Sequence, residues 1–476
     1  MNRLLTFRII AAAIILTFIS CSKDSDDPVP QEIEITVSTE DFSTTMDENP
    51  TNGQIIGTVQ GSTNEGAITF SIRAQNPAGA FSIDSASGEL KVADEALFEF
   101  ETNPTISGTV QVSNGAVSEN ASVTISLNEQ NIYELPYIRL WTQEDVNLFG
   151  ANQYTRIMGT LYIGTPYEGY TTDISDLSPL GSIKTVDANL KIRNNPDLIS
   201  TTGLGVTHIG EGLIVSENKN LENLDGLEGL TYVQYLQLIH NFALSDFSSL
   251  SQLTSLDNGL YLSGCYLLTD VDWLSNVASI GNVIDITNNP NLTNINGLSN
   301  LRNFTGEPDY ISFNTNINLT NLNGLRNLTA NVSNLSLFQN YSLVNIDGLA
   351  NIQVTKSINI RYNHALENID GLESTIGLED ELFIFHNISL RNLFGLQQIT
   401  NIGKVTIDEN ENLLSLNGLE NLLRVSQSFR ARQNSNLSDF CALTNLCVNG
   451  DLNILQAENN AYNPTKQDII DGNCSL

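Results

Sequence analysis

One pattern, Leu-x-Leu-x-x-Asn-x-x-Leu-x-x-Leu-x-Gly-Leu, returns throughout residues 190–443 and limits the fold more than anything else in the chain. Its closing Leu falls at Leu180, Leu204, Leu227, Leu250, Leu274 and Leu298, then at Leu325, Leu349, Leu372, Leu396, Leu419 and Leu443. Successive landmarks lie 23 or 24 residues apart, except for 27 between Leu298 and Leu325, where Gly306-Glu307-Pro308 reads as an inserted loop. A fixed period of this length marks a solenoid, because one repeat cannot bury its apolar face alone and must stack on its neighbours.

Nine residues before the landmarks stand Asn195, Asn218, Asn241, Asn289, Asn316, Asn340, Asn363, Asn387, Asn410 and Asn434, with Cys265 in the one odd place. A polar side chain recurring among buried leucines must be hydrogen-bonded, and an amide can tie down the backbone where the chain leaves each strand. The column is therefore a structural ladder, each bond contributing about 1 kcal/mol net. Apolar pairs such as Leu236/Leu238 and Ile358/Ile360, five and three residues before the Asn, read as one short strand per turn. Stacked in parallel, eleven such turns give a sheet roughly 50 Å long. Asn195-Pro196 and Asn289-Pro290 turn the chain after the strand, and Gly203, Gly226, Gly297, Gly324, Gly348, Gly371, Gly395 and Gly418 are expected to permit a second bend. The expected fold is mainly β, with a right-handed parallel β-solenoid of about 11–12 coils over residues 171–446.

The runs Ile157-Met158-Gly159-Thr160-Leu161-Tyr162-Ile163, Ile174-Ser175-Asp176-Leu177-Ser178-Pro179-Leu180 and Leu190-Lys191-Ile192, with the Asn-x-x-Leu spacing, resemble leucine-rich-repeat solenoids. More closely they resemble the receptor L domain of growth-factor receptors. The resemblance implies a ligand-binding surface rather than catalysis and names no ligand.

Arg3 and Arg8 precede an apolar run from Ile9 to Ile19, too short to span a bilayer and suited to a secretory signal over residues 1–20. Phe18-Ile19-Ser20-Cys21 resembles a bacterial lipobox, which implies cleavage before Cys21 and lipidation of that residue. Residues 21–32 then form an acidic tether. Its Ser22-Lys23-Asp24-Ser25-Asp26-Asp27 resembles the export tag that sends lipoproteins to the outer face of the outer membrane; an ordinary polar tether is the other reading. Membrane contact is expected through the lipid anchor only. With 54 acidic and 21 basic residues the formal charge is −33, which offers no basic stripe for phosphate and excludes nucleic acid as a partner.

Residues 33–131 are Leu-poor and rich in Thr and Ser, with alternating runs at 54–59, 68–72 and 123–127 that read as strands of a β-sandwich. Asp47-Glu48-Asn49-Pro50, Phe81-Ser82-Ile83-Asp84 with Gly88-Glu89-Leu90-Lys91-Val92, and Phe98-Glu99-Phe100-Glu101 resemble a cadherin repeat. That resemblance implies Ca2+ ligands at Glu48, Glu99, Glu101, Asn114 and Glu129. Glu129-Gln130-Asn131-Ile132-Tyr133 departs from the closing motif of such repeats, and a calcium-free sandwich is the alternative. Residues 132–170 are assigned to an N-terminal cap and first coil, with Thr142 as N-cap of a short helix. Residues 447–476 are assigned to a C-terminal cap. Cys441, Cys447 and Cys474 cluster there, and a disulfide between Cys441 and Cys474 is favoured, although spacing alone does not settle the pairing.

Side chains four, two and one residues before each Asn face outward, and most are small or polar. In three successive coils they become Phe338, Arg361, Tyr362, Phe383, Phe385 and His386, with Arg430 and Arg432 two coils on. Contiguous aromatics with Arg are the composition of interface hot spots. Catalysis by a β-helix enzyme acting on polysaccharide would need paired acids, and Asp285 and Asp408 stand five coils, about 24 Å, apart. The sequence thus predicts a non-enzymatic cell-surface lipoprotein for adhesion or protein recognition, with extracellular protein or glycan as partner. Capture of a surface glycan or nutrient is the alternative.

Overall fold

A computed structural model describes residues 34–476 apart from Glu101, Gln130, Glu168, Glu307 and Pro308. The signal segment, Cys21, the tether and Glu101 lie outside the described residues. The chain divides into two compact units, one ending at Glu129 and one beginning at Gln130, and both are built of strands.

In the first unit, strands Phe42–Asp47, Ser118–Asn128, Thr105–Ser113 and Thr69–Asn76 form one sheet in that order, and Ile55–Thr58, Glu89–Val92 and Phe81–Ile83 form another. Strict alternation decides which face is inward: Ala121, Val123, Ile125 and Leu127 are buried, and they join Phe70, Phe81, Leu90, Phe98 and Ile106 in one core. Two antiparallel-rich sheets sharing one apolar layer make a β-sandwich.

The second unit is a parallel β-solenoid whose main sheet runs through eighteen strands. Leu335, Ile358, Leu382, Val405 and Phe429 stand opposite one another on successive strands, all directed into the core. Single-turn 3-10 helices such as Asp347–Leu349 and Asp370–Leu372 return the chain along the far side. The first coils are closed by the helix Gln143–Gly150, where Thr142 accepts from the Asp145 backbone N–H and Val146 and Phe149 enter the core.

Each ladder Asn works backward by one coil. The Oδ1 of Asn363 accepts from the Asn340 backbone N–H at 3.1 Å, and its Nδ2 donates to the Leu337 carbonyl at 2.9 Å. The amide thus staples neighbouring coils to each other. Asn460 adds a final rung, accepting from the Asn434 backbone at 3.0 Å and held in turn by Asn463. At Cys265 the thiol lies 3.5 Å from the Leu238 carbonyl, and burial pushes it up to about 12.

The residue before each rung is left-handed. Eleven non-glycine residues from Asn194 to Asn459, including Thr315, Tyr362 and His386, have φ between 54° and 60°, and before Cys265 the place is held by Gly264 with φ 67°. Each costs on the order of 1–2 kcal/mol, set against the rung that the bend makes possible.

The repeat glycines need correcting. Only Gly203, Gly226 and Gly418 of the eight have a left-handed φ; Gly297, Gly324, Gly348, Gly371 and Gly395 do not. In those five the reason is proximity, because an added Cβ would lie 1.8–1.9 Å from a carbonyl oxygen of the preceding coil.

At the far end Cys441 and Cys474 are joined across 33 residues, with Cys447 left as a buried thiol. The tail packs Ile469 on the last coil, in the slot of the earlier landmark leucines. Replacing both bridged cysteines by Ser is expected to loosen this end by about 3–4 kcal/mol. Hydrogen exchange at the Phe440 amide, which donates to the Cys474 carbonyl at 2.9 Å, reads that loss directly. Unchanged protection there would show that the bridge does not secure the cap.

Candidate functional site

Register decides which side chains meet on the outward face. Phe338, Arg361, Phe385 and Asp408 stand opposite one another on four successive strands, and Asn359, Phe383 and Thr406 form the adjoining row. The Arg361 guanidinium lies 5.0 Å from the Phe338 ring centre and 5.4 Å from that of Phe383, held between two aromatic faces. Tyr362 meets Phe385 edge-on at 5.2 Å and His386 at 5.0 Å, so all six predicted face residues fall in one half-buried cluster.

The cluster is larger than the sequence pattern indicated. Tyr341 and His364, each one residue after a ladder Asn, stack at 4.8 Å, and His364 approaches His386 at 5.3 Å. Burial, with His386 nearby, holds the His364 imidazole below its ordinary range. Asn359 Oδ1, Arg361 Nε and His364 Nε2 are buried without a hydrogen-bond partner.

Arg430 and Arg432 do not extend the patch as free cations. Both turn to the buried Asp408, Arg430 at 2.6 Å and Arg432 at 3.6 Å, because a carboxylate 4% exposed must be neutralised where it stands. Glu381 is taken by Lys404 at 2.8 Å, and Glu409 lies 3.1 Å from His386. Arg361 makes no ion pair among the described residues.

A second aromatic and cationic cluster, which the repeat pattern did not flag, occupies the first coils. Arg139 lies within 5.1–5.2 Å of the ring centres of Tyr137, Trp141 and Tyr162, and its Nε donates to the Tyr137 hydroxyl at 2.8 Å. Tyr162 stands between Arg139 and Lys191 in register, with Arg193 on the same strand as Lys191. Burial raises the Tyr162 phenol above its ordinary range, and the Arg193 charge opposes the shift.

The predicted calcium residues do not converge as a set. Glu48 is buried and accepts from the Phe100 backbone N–H at 2.7 Å, and Glu99 accepts from the Thr102 hydroxyl at 3.1 Å. Glu129 follows strand Ser118–Asn128 at that same end. Asn114 instead closes the opposite end, beyond the nine-residue strand Thr105–Ser113, accepting from the Val117 backbone at 2.9 Å and donating to Thr63. A nine-residue strand separates the two ends by roughly 30 Å, so Asn114 cannot share an ion with Glu48. Among the described residues, no three His, Cys, Asp or Glu side chains gather at metal-holding distance.

No family model matches the chain, and no curated protein matches it. Among solved structures it is similar to protocadherin gamma B2 extracellular cadherin domains 3–6, at 19% identity over 20% of this chain and 23% of that one, with a TM-score of 0.18. It is similar to the human desmocollin-1 ectodomain at 20% identity, covering 21% of this chain and 24% of that one, with a TM-score of 0.19. Drosophila N-cadherin EC1-4 is similar at 24% identity over 21% of this chain and 27% of that one, with a TM-score of 0.18. The chain thus spans about a quarter of the length of these solved structures.

Proposed function

We propose that the chain is a non-enzymatic surface lipoprotein of the bacterial outer membrane, anchored through Cys21, whose solenoid face mediates adhesion or protein recognition. The observation that carries this reading is Arg361, an unpaired cation held between Phe338 and Phe383 and ringed by Tyr362, Phe385 and His386. The strands supplying these residues are parallel and continuous with their neighbours, so the cluster sits within a broad sheet face. A protein partner needs a face of that kind, about 800 Å² on each side. Well-packed aromatic and Arg anchors supply most of the energy in such contacts.

The reading is tested by cell and surface-protein binding of the full-length chain beside a variant carrying Phe338→Ala, Phe383→Ala and Phe385→Ala. A hot-spot loss of 2 kcal/mol or more corresponds to a fall in affinity of about thirtyfold. Equal binding by both proteins, with both folded, would make the patch an internal packing feature.

A further inference from the structure

The two central rows of the outward face carry a charge opposite to that of the chain. Along them stand the cations Arg139, Lys191, Arg193, Arg361, Arg430 and Arg432, against the carboxylates Asp285, Asp408 and Glu458. In these two rows cations outnumber carboxylates six to three, on a chain of formal charge −33. The three carboxylates are already engaged: Asp408 and Glu458 by Arg430 and Arg432, and Asp285 by the Thr287 and Tyr310 hydroxyls.

Arg139, Lys191 and Arg193 have no such counter-ion among the described residues. Arg139 lies on strand Tyr137–Leu140 and Lys191 and Arg193 on Leu190–Arg193, with Tyr162 of Thr160–Gly164 between them, so the three stand within about 10 Å of one another along the stack. Arg139 donates to neutral phenols, which fix its orientation and leave its charge uncancelled. Trp141 is 41% exposed and Tyr167 53%, with ring centres 6.0 Å apart beside that guanidinium. Immediately after Arg193 the surface opens into a cleft of about 370 Å³ lined by Tyr170, Asn194, Pro196, Glu217 and Lys219. Glu217 is hydrogen-bonded to His240 at 2.7 Å, and Lys219 makes no ion pair among the described residues.

We infer that these first coils form a second binding site, separate from the Arg361 patch, for a short acidic saccharide. The anionic groups of the sugar meet Arg139, Lys191, Arg193 and Lys219, and its ring faces lie on the exposed aromatics Trp141, Tyr167 and Tyr170. Size favours a saccharide over a protein: the cleft falls within the 300–1,000 Å³ range of small-ligand sites, whereas a protein contact needs about 800 Å². Charge favours a short ligand over a polymer, since beyond Lys191 and Arg193 the two central rows carry no further cation until Arg361.

The test is calorimetric titration of the full-length chain with trigalacturonate, with its fully methyl-esterified form, and with a sulfated neutral trisaccharide. Binding of trigalacturonate or the sulfated sugar, at least about tenfold tighter than the ester and weakened by added salt, is expected. The tighter of the two anionic sugars identifies the recognised group as carboxylate or sulfate. Lys191→Gln with Arg193→Gln should weaken that binding at least about tenfold, while Arg361→Gln leaves it unchanged. Because those two positions are half-buried, Trp141→Ala serves as a second variant that removes a stacking surface and keeps every cation. Equal affinity for the ester, no binding of either anionic sugar, or undiminished binding by both variants would overturn the assignment.

Discussion

Gly371→Ala is expected to destabilise the solenoid by about 4 kcal/mol or more, as large as the loss from opening a sizeable core cavity. The added Cβ would stand 1.9 Å from the Ile346 carbonyl oxygen, a backbone atom of the preceding coil that cannot swing aside. Gly371 has an ordinary φ, so an argument from backbone freedom would predict no more than about 1 kcal/mol, or even a gain. Urea denaturation separates the two accounts, and a loss under 1 kcal/mol would refute the steric one. Trp273 occupies the same slot in another coil, where it stacks on Phe247 at 5.4 Å. There a cleft of about 280 Å³ opens beside the two rings.

Asn363→Leu should cost about 3–5 kcal/mol while keeping the side chain close in size. The substitution takes the acceptor away from the Asn340 backbone N–H and the donor away from the Leu337 carbonyl, both inside the stack. Each buried polar group left unmade costs about 1–3 kcal/mol, and two are left together. Because a solenoid couples only neighbouring coils, the damage should centre on the coils holding Asn340 and Asn363. Hydrogen exchange resolved by segment would show it, with the sandwich unaffected. Uniform loss of protection through residues 130–476 would mean that the stack melts as one unit instead.

The repeat was legible because its physics is periodic. A buried amide every 23 or 24 residues among leucines has few structural explanations, and the parallel sheet follows from it. The left-handed column was not legible, because Asn194, Glu217, His240, Thr315 and Tyr362 share a conformation and no side-chain chemistry. Glycine was read for its freedom when, at Gly297, Gly324, Gly348, Gly371 and Gly395, its use is its lack of volume. Asn460 escaped notice because Ile469, not a Gly-Leu step, follows it at the repeat distance.

The face was partly legible for the same reason. Phe338, Arg361 and Phe385 could be aligned because each precedes a ladder Asn by the same two residues. Tyr341 and His364 lie just beyond the Asn, where the pattern says nothing about direction. The Arg139 cluster was invisible because no Asn marks its register: Pro166 stands where Asn195 stands one coil later. Charges on the face could be placed from sequence, but their pairing could not. That Asp408 consumes Arg430 and Arg432 while Arg361 is left over depends on side-chain geometry.

The single thiol rung has a mechanical meaning. An amide at that place would staple its coil to both neighbours, whereas Cys265 offers a weak 3.5 Å contact to Leu238 and has no Nδ2 to reach Asn289. A stack of coils under tension is only as strong as its poorest seam. Pulled from its two ends, the solenoid would part first between the coils of Asn241 and Cys265, yielding as two blocks rather than unravelling from a tip.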